Sequence, residues 1–244
     1  MFNFFNNYFS NKINSPYLLP VFTEKIHTDD VKIIFELGSL NLKDARKLYN
    51  YYNCPIYAFE CNPDSLELCN QELSIMSKKE KSNIFLIKKA VSIKNKDVRF
   101  YPFDILRYNN AGASSMLKID FTTRSKDDLD YNKPNPQTSI IVEGVRLDTF
   151  CNELSIEPDL ICIDLQGYEL MALKSLGKIL NKVKYIITET SIESTYKGGA
   201  SFVELEKYLS KFNYKYICSN KFNNNYPNLN LKGYSEFDTL FIKQ

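Results

Sequence analysis

No block of like charge appears anywhere in this chain. Its 31 basic and 29 acidic residues are spread over 244 positions and leave a formal net charge of +2, so nothing in it binds a polyanion by electrostatics alone. Nucleic acid is therefore not the expected partner. The six cysteines, Cys54, Cys61, Cys69, Cys151, Cys162 and Cys218, form no CxxC pair and no zinc-type spacing. That removes the common structural zinc frameworks and reads as reduced thiols of a cytoplasmic protein. An uninterrupted apolar segment is also missing. The opening MFNFFNNYFSNKIN is aromatic, but Asn interrupts it and no basic flank precedes it, so neither a signal nor a membrane anchor is expected. Its phenylalanines are expected to pack across the outside of the domain. The one histidine, His27, lies before the first predicted strand with no neighbour that marks it as catalytic, and is read as a surface or packing residue. Internal repeats and a second core are absent. At 44% hydrophobic and 25% charged residues, the composition is that of one ordinary globular domain.

What is present is an alternation. From Val31 onward, short β-branched or aromatic runs alternate with longer helical patterns, as in right-handed βαβ units on a parallel sheet. VKIIFEL (Val31–Leu37), PIYAFE (Pro55–Glu60), NIFLIKKAVS (Asn83–Ser92), LICIDL (Leu160–Leu165) and KYIITET (Lys184–Thr190) are near-continuous apolar strands, suited to burial on both faces. Leu42–Tyr52, Pro63–Met76, Gly167–Leu180 and Phe202–Phe212 carry apolar residues at helical spacing. YKYICS (Tyr214–Ser219) and FDTLFIK (Phe237–Lys243) are joined by a loop too short for a crossover helix, which predicts an antiparallel terminal pair. The fold class is thus α/β: doubly wound, mostly parallel and seven-stranded, with an antiparallel C-terminal strand pair. The expected organisation is an N-terminal extension over 1–30 and a single domain over 31–244. An inserted flap interrupts that domain around 98–142, where VRFYPF reads as an extra strand and RSKDDLDYNKPNPQ is polar and Pro-broken.

Doubly wound sheets bind ligands at the carboxyl ends of their strands. The first strand ends in Glu36-Leu37-Gly38-Ser39, where a glycine permits close backbone approach. The second ends in Glu60, about twenty residues beyond that turn, where dinucleotide folds place a ribose-binding carboxylate. A solvated acid at a helix entrance beside Pro63 is the simpler alternative for Glu60.

Taken in order, FELGSLNLKDA, YAFECNP, VRLDTF, LICIDLQGYELMALKSLG and ITETSIESTYKGGASFVELEKYL resemble the signature segments of FkbM-type methyltransferases. The resemblance covers nearly the whole chain after Asp30, and its strongest piece is the turn Asp164-Leu165-Gln166-Gly167-Tyr168-Glu169 leading into Leu173-Lys174-Ser175-Leu176. It implies a class I methyltransferase (Rossmann-like) fold, S-adenosylmethionine (AdoMet) as cofactor, and methylation of hydroxyl groups, often on sugars, glycolipids or secondary metabolites. By the same resemblance Glu36, Gly38 and Ser39 would line the amino acid end of AdoMet, and Glu60, with Cys61 beside it, would hold the ribose. Ala90 and Val91 would flank the adenine, while Ser115, in Gly112-Ala113-Ser114-Ser115, and the Asp164 and Gln166 turn would lie near the cofactor. One departure stands out. Family members usually carry a second glycine in the first turn, where this chain has Leu42; that side chain either narrows the pocket or enters the core, and Asn41 offers a polar contact instead.

Methyl transfer needs an acceptor oxygen held near the methyl group and relieved of its proton. Asp164 and Glu189, at the ends of neighbouring predicted strands, are the candidate catalytic acids; either could act as base, or the two could orient substrate or share a divalent ion. A metal is allowed by these residues but not indicated. Glu169 is read as bracing its helix. Tyr196 and Lys197, in STYKGGASF, are candidates for meeting the acceptor, with a plain glycine-hinged loop as the alternative. The expected acceptor is a small molecule or glycan. Two other readings stay open: an RNA ribose methyltransferase, and a catalytically silent scaffold that lost its cofactor turn.

Overall fold

The structure, a computed structural model, describes residues 15–103, 111–120, 137–230 and 236–244. Among these, ten strands form two sheets. The large one contains β1 (Ile34–Leu37), β2 (Ile56–Phe59), β3 (Ile84–Ile87), β7 (Leu160–Ile163), β8 (Tyr185–Ser191), β9 (Tyr214–Ser219) and β10 (Glu236–Lys243). Their order is β3-β2-β1-β7-β8-β10-β9. The first five run parallel, and β10 lies antiparallel to both β8 and β9. This is the order and the single strand reversal of a class I methyltransferase sheet, as the sequence predicts.

Burial explains why the central strands are apolar throughout. All four residues of β1 and of β7 are buried, and successive residues serve opposite cores. Phe35, Leu37, Ile161, Ile163 and Ile186 point to one side with Phe150, Leu173, Phe202 and Leu205. Ile34, Leu160, Cys162 and Ile187 point to the other with Leu48, Cys69 and Phe22. The period of two along each strand thus distributes apolar side chains between two helical layers. The first layer comes from the helices Leu147–Leu154, Glu169–Ser175 and Phe202–Ser210, the second from Lys43–Tyr52 and Pro63–Ile75. Residues 15–30, expected as an extension, supply Tyr17, Phe22 and Ile26 to the second core. The aromatic residues before Ser15 lie outside the described residues, as does most of the polar stretch after Phe121.

Several expectations are corrected. The predicted strand Asn83–Ser92 is two strands: the chain turns at Lys88-Lys89, where Lys89 N–H bonds back to the Ile87 carbonyl at 2.9 Å. Ala90–Val91 (β4) then joins a second sheet with β5 (Asp97–Phe100) and β6 (Ile140–Val145), in the order β4-β6-β5. The insertion therefore begins and ends in an antiparallel ladder, Arg99 opposite Ile141. The predicted helix Gly167–Leu180 is shorter, Glu169–Ser175 followed by a 3₁₀ turn over Gly177–Asn181. Gly177 breaks it by adopting a φ of 52°. The helix Leu147–Leu154 and strand β6 are not anticipated by the sequence. Among the described residues no helix is long and apolar enough to cross a membrane, and all six cysteines are free thiols.

Candidate functional site

The carboxyl ends of β1, β2 and β7 converge on one cleft, where the strand ends of a doubly wound sheet bind their ligands. Its floor is Gly38. This residue has a φ of 90°, and a Cβ there would lie 1.8 Å from the Asp164 carbonyl oxygen, so only glycine lets the two strand ends meet. The turn continues through Leu40 and Leu42, both with positive φ, at 53° and 61°. Two leucines in this left-handed region cost roughly 1–2 kcal/mol each, strain of the kind that accumulates at functional sites. Leu42 settles the alternative left open by the sequence: it is fully buried in the second core, beside Ala45 and Leu48, and does not line the cleft. Leu40 does line it.

Glu60 closes the second strand. Its Oε2 accepts the Leu40 N–H at 2.8 Å, and its Oε1 accepts those of Cys61 at 2.7 Å and Asn62 at 2.8 Å. Burial raises its pKa, while these three N–H groups oppose the shift by stabilising the anion. Oε2, engaged once, keeps an acceptor position for a hydroxyl. Asn62 also caps the following helix, its Oδ1 accepting the Asp64 N–H, and donates through Nδ2 to Ser114 Oγ at 3.1 Å. That bond ties a strap over the cleft, in which Gly112, Ser114 and Met116 face the cavity. Ala90, Val91, Phe59 and Phe100 give the same cavity an apolar wall.

The predicted cofactor residues thus fall into two groups. Gly38, Glu60, Cys61, Ala90, Val91, Asp164 and Gln166 line the cleft. Glu36, Ser39, Asn41 and Ser115 stand behind it. Ser39 Oγ donates to Glu36 Oε2 at 2.5 Å, and burial pushes the Glu36 carboxyl up to about 8. Asn41 Oδ1 accepts the Lys43 N–H at the start of its helix. Ser115 Oγ donates to the Gln166 carbonyl at 2.8 Å, bracing the strap on the turn after β7. Gly112 and Ser114, of the stretch expected near the cofactor, line the cleft as well, and so do Leu40, Asn62, Ser65, Lys89, Phe100 and Met116, which escape the sequence reading. Asn62 was visible in ECNP, whereas Phe100 and Met116 come from the insertion, where no periodicity marks them.

Beside the cleft lies a second, shallow hollow, lined by Glu169, Glu189 and Glu236 and by Thr190, Ser191, Ser194, Thr195 and Tyr196. The two are joined by Gln166, whose Nε2 donates to Asp164 Oδ1 at 2.8 Å and to Glu189 Oε2 at 3.0 Å. Burial raises the pKa of both acids; Glu189 is pushed further, because Asp164, Glu236, Asp238 and Glu169 all add repulsion. Hydrogen bonds to Gln166 and Glu189 oppose the shift at Asp164, and the two acids titrate together as a pair. Glu169 is buried, with Oε1 accepting the N–H groups of Leu165 and Gly167, both at 3.0 Å, and its carboxyl is pushed up to about 7. It braces the turn that precedes its helix, where the sequence suggested the helix itself. Carboxylate oxygens of Asp164, Glu169 and Glu189 lie within 4.8 Å of one another, a spacing that can hold a cation. The oxygens at its centre are already bridged by the Gln166 amide and the backbone donors. Lys197 is exposed and turned outward, its backbone N–H bonded to the Lys118 carbonyl.

The pattern for the "Methyltransferase FkbM domain" matches residues 39–216, nearly three-quarters of the chain and the whole of the site apart from Glu36 and Gly38. The chain belongs to this family. That family is one of S-adenosylmethionine-dependent methyltransferases. Among curated proteins it is similar to the 2-O-methyltransferase NoeI of Sinorhizobium fredii (strain NBRC 101917 / NGR234), 26% identical over 170 residues, 68% of this chain and 66% of that protein. Among solved structures it is similar to a fibrillarin/Nop5p complex (12% identity, TM-score 0.47, 95% of this chain and 84% of that one). It is also similar to precorrin-6y C5,15-methyltransferase from Geobacter metallireducens GS-15 (13% identity, TM-score 0.41, 88% and 80%). Membership rests on the family match and the strand order, not on these distant likenesses.

Proposed function

We propose that this FkbM methyltransferase transfers the AdoMet methyl group to a hydroxyl oxygen of a sugar, glycan or glycan precursor. One observation carries the reading: Asp164 and Gln166 line the cleft, Glu189 lines the acidic hollow beside it, and the Gln166 amide bonds both acids, so a donor in the cleft and an acceptor at the hollow would meet across this bridge. The chemistry of the donor set suits AdoMet. Glu60 would accept a ribose hydroxyl, Ala90, Val91 and Phe100 would enclose the adenine, and Asp164 would face the cationic end. AdoMet supplies an electrophilic methyl on a sulfonium. The protein must then aim the acceptor oxygen and take its proton. In this reading Asp164, on the cleft side, accepts that proton, and Glu189, on the hollow side, orients the acceptor. Ser191, in the lining of the hollow, would offer a hydroxyl partner for a polyol. Similarity to a 2-O-methyltransferase supports oxygen as the target.

The acidic lining of the hollow opposes a phosphodiester, which argues against RNA as the acceptor. We take residues 31–244 as one catalytic domain with an insertion, acting on a small-molecule or glycan acceptor; the free thiols favour the cytoplasm. Calorimetry with AdoMet and S-adenosylhomocysteine, followed by a sugar-acceptor screen read by mass spectrometry, tests the proposal. Micromolar cofactor binding and a gain of one methyl on a hydroxyl support it. Absence of cofactor binding would leave a silent scaffold, and methylation of RNA alone would replace the acceptor class.

A further inference from the structure

Tyr196 was expected to meet the acceptor or to belong to a plain loop. Its side chain does something else. The residue is 3% exposed, and its hydroxyl lies 2.7 Å from Gln166 Oε1 and 3.1 Å from the Ala113 carbonyl oxygen. Both neighbours are acceptors, so the single hydroxyl proton goes to one of them, and the shorter contact is to Gln166. The ring reaches this position because residue 167 is glycine: a Cβ there would lie 2.9 Å from Tyr196 Cβ. Gln166 itself is pinned with a φ of 53°, its carbonyl held by Ser115 Oγ and the next N–H by Glu169.

We infer that Tyr196 is a positioning residue of the catalytic pair: its hydroxyl fixes the Gln166 amide in the one orientation that aims both amide N–H bonds at Asp164 and Glu189. Turned by half a revolution, the amide would set its oxygen against two carboxylate oxygens about 3 Å away, tolerable only if the pair took up a proton. With the hydroxyl in place, one neutral group satisfies both acids without adding charge. The charged groups around the pair are mostly acidic. Glu169, Glu236 and Asp238 add negative charge around Glu189 and Asp44 adds it around Asp164; among the described residues no basic side chain lines the hollow, and Lys89 is the one basic residue in the lining of the cleft. The Gln-Gly dipeptide of the turn thus has one purpose, the glycine admitting the tyrosine that orients the glutamine.

This inference rests on the proposed acceptor chemistry only for its kinetic test, and Tyr196→Phe is the variant to use, since it keeps the ring against Gly167. The kcat of the variant should fall about tenfold near neutral pH and recover as pH rises, its acid limb displaced upward, with acceptor KM changed less than kcat. An acceptor contact would instead raise KM and leave the limb in place, which would overturn the inference. A second readout needs no acceptor. AdoMet brings a cation beside Asp164, so binding should expel the proton of the pair, and calorimetry in buffers of different ionisation enthalpy counts it. Tyr196→Phe should release more protons than the wild type near neutral pH, and Gln166→Glu more still. Equal proton counts in wild type and both variants would sink the inference even if methyl transfer is found. If no hydroxyl acceptor is found, the functional reading fails while the proton count still decides this one.

Discussion

Gly38 and Asp164 meet so closely at the ends of β1 and β7 that the space a side chain at position 38 would need is already filled by the aspartate's carbonyl oxygen, 1.8 Å from where a Cβ would stand. Backbone cannot retreat as a side chain can, because Asp164 N–H is bonded to the Leu37 carbonyl at 2.9 Å and fixes the register of the two strands. Substituting Gly38→Ala should therefore lower Tm sharply and remove AdoMet binding. Gly198 supplies the control: its φ is also positive, at 75°, but nothing lies within 4 Å of its Cβ position. Gly198→Ala should cost only about 1 kcal/mol, from the left-handed backbone alone. Thermal denaturation of the two variants side by side separates the steric term from the conformational one.

Glu60 links the cleft to the first turn through the Leu40 N–H, across twenty positions of sequence. Glu60→Gln keeps the shape but replaces one carboxylate oxygen by an amide donor that confronts an N–H. AdoMet affinity should fall by roughly 1.5–3 kcal/mol, about ten- to 150-fold, the range for hydrogen bonds to a charged group. A titration showing unchanged affinity would mean that the ribose lies elsewhere.

The parallel order was legible because strands buried on both faces leave unbroken apolar runs, as in IFEL and LICI. The split after Ile87 was not. In the sequence, Lys88-Lys89 looks like a brief polar break within one strand, whereas its effect is to move Ala90 and Val91 into a different sheet and onto the cleft wall. Acids at strand ends could be read as site residues, since position alone suggests their direction. Ser114 could not be told from Ser115: one faces the cavity and the other braces the turn, a difference set by the local path of the strap. The roles of Leu40 and Leu42 were hidden for a related reason, since propensity disfavours a positive φ for leucine and only the surrounding core imposes it.

Leu42 permits a direct test of that core. Restoring the glycine usual in the family, Leu42→Gly, would relieve about 1–2 kcal/mol of backbone strain. It would also remove a fully buried side chain, worth about 2–5 kcal/mol in comparable cores. The loss outweighs the gain, so the variant should be about 1–3 kcal/mol less stable by chemical denaturation. Because Leu42 does not line the cleft, AdoMet affinity should not improve.

The buried acids also predict how stability follows pH. Glu36 is 1% exposed and raised from 4.5 to about 8, and Glu169, 3% exposed, is raised from 4.5 to about 7; burial is the leading cause in both. A carboxyl whose pKa is higher folded than unfolded binds its proton more tightly in the native state. Its contribution is fully present below the unfolded value and is lost as pH rises through the folded one. Without cofactor, Tm should therefore decline steadily between pH 4.5 and pH 8. Glu80, lowered to about 2 by Arg46, acts in the opposite sense but only in the acid range, so it does not offset this decline. Glu36→Gln keeps an acceptor for Ser39 Oγ and cannot ionise, so it should flatten the slope and raise Tm at the alkaline end relative to the wild type. A slope identical in both proteins would show that the Glu36 carboxylate is stabilised within the fold, and that the turn beginning at Gly38 is held by an anion rather than by a neutral acid.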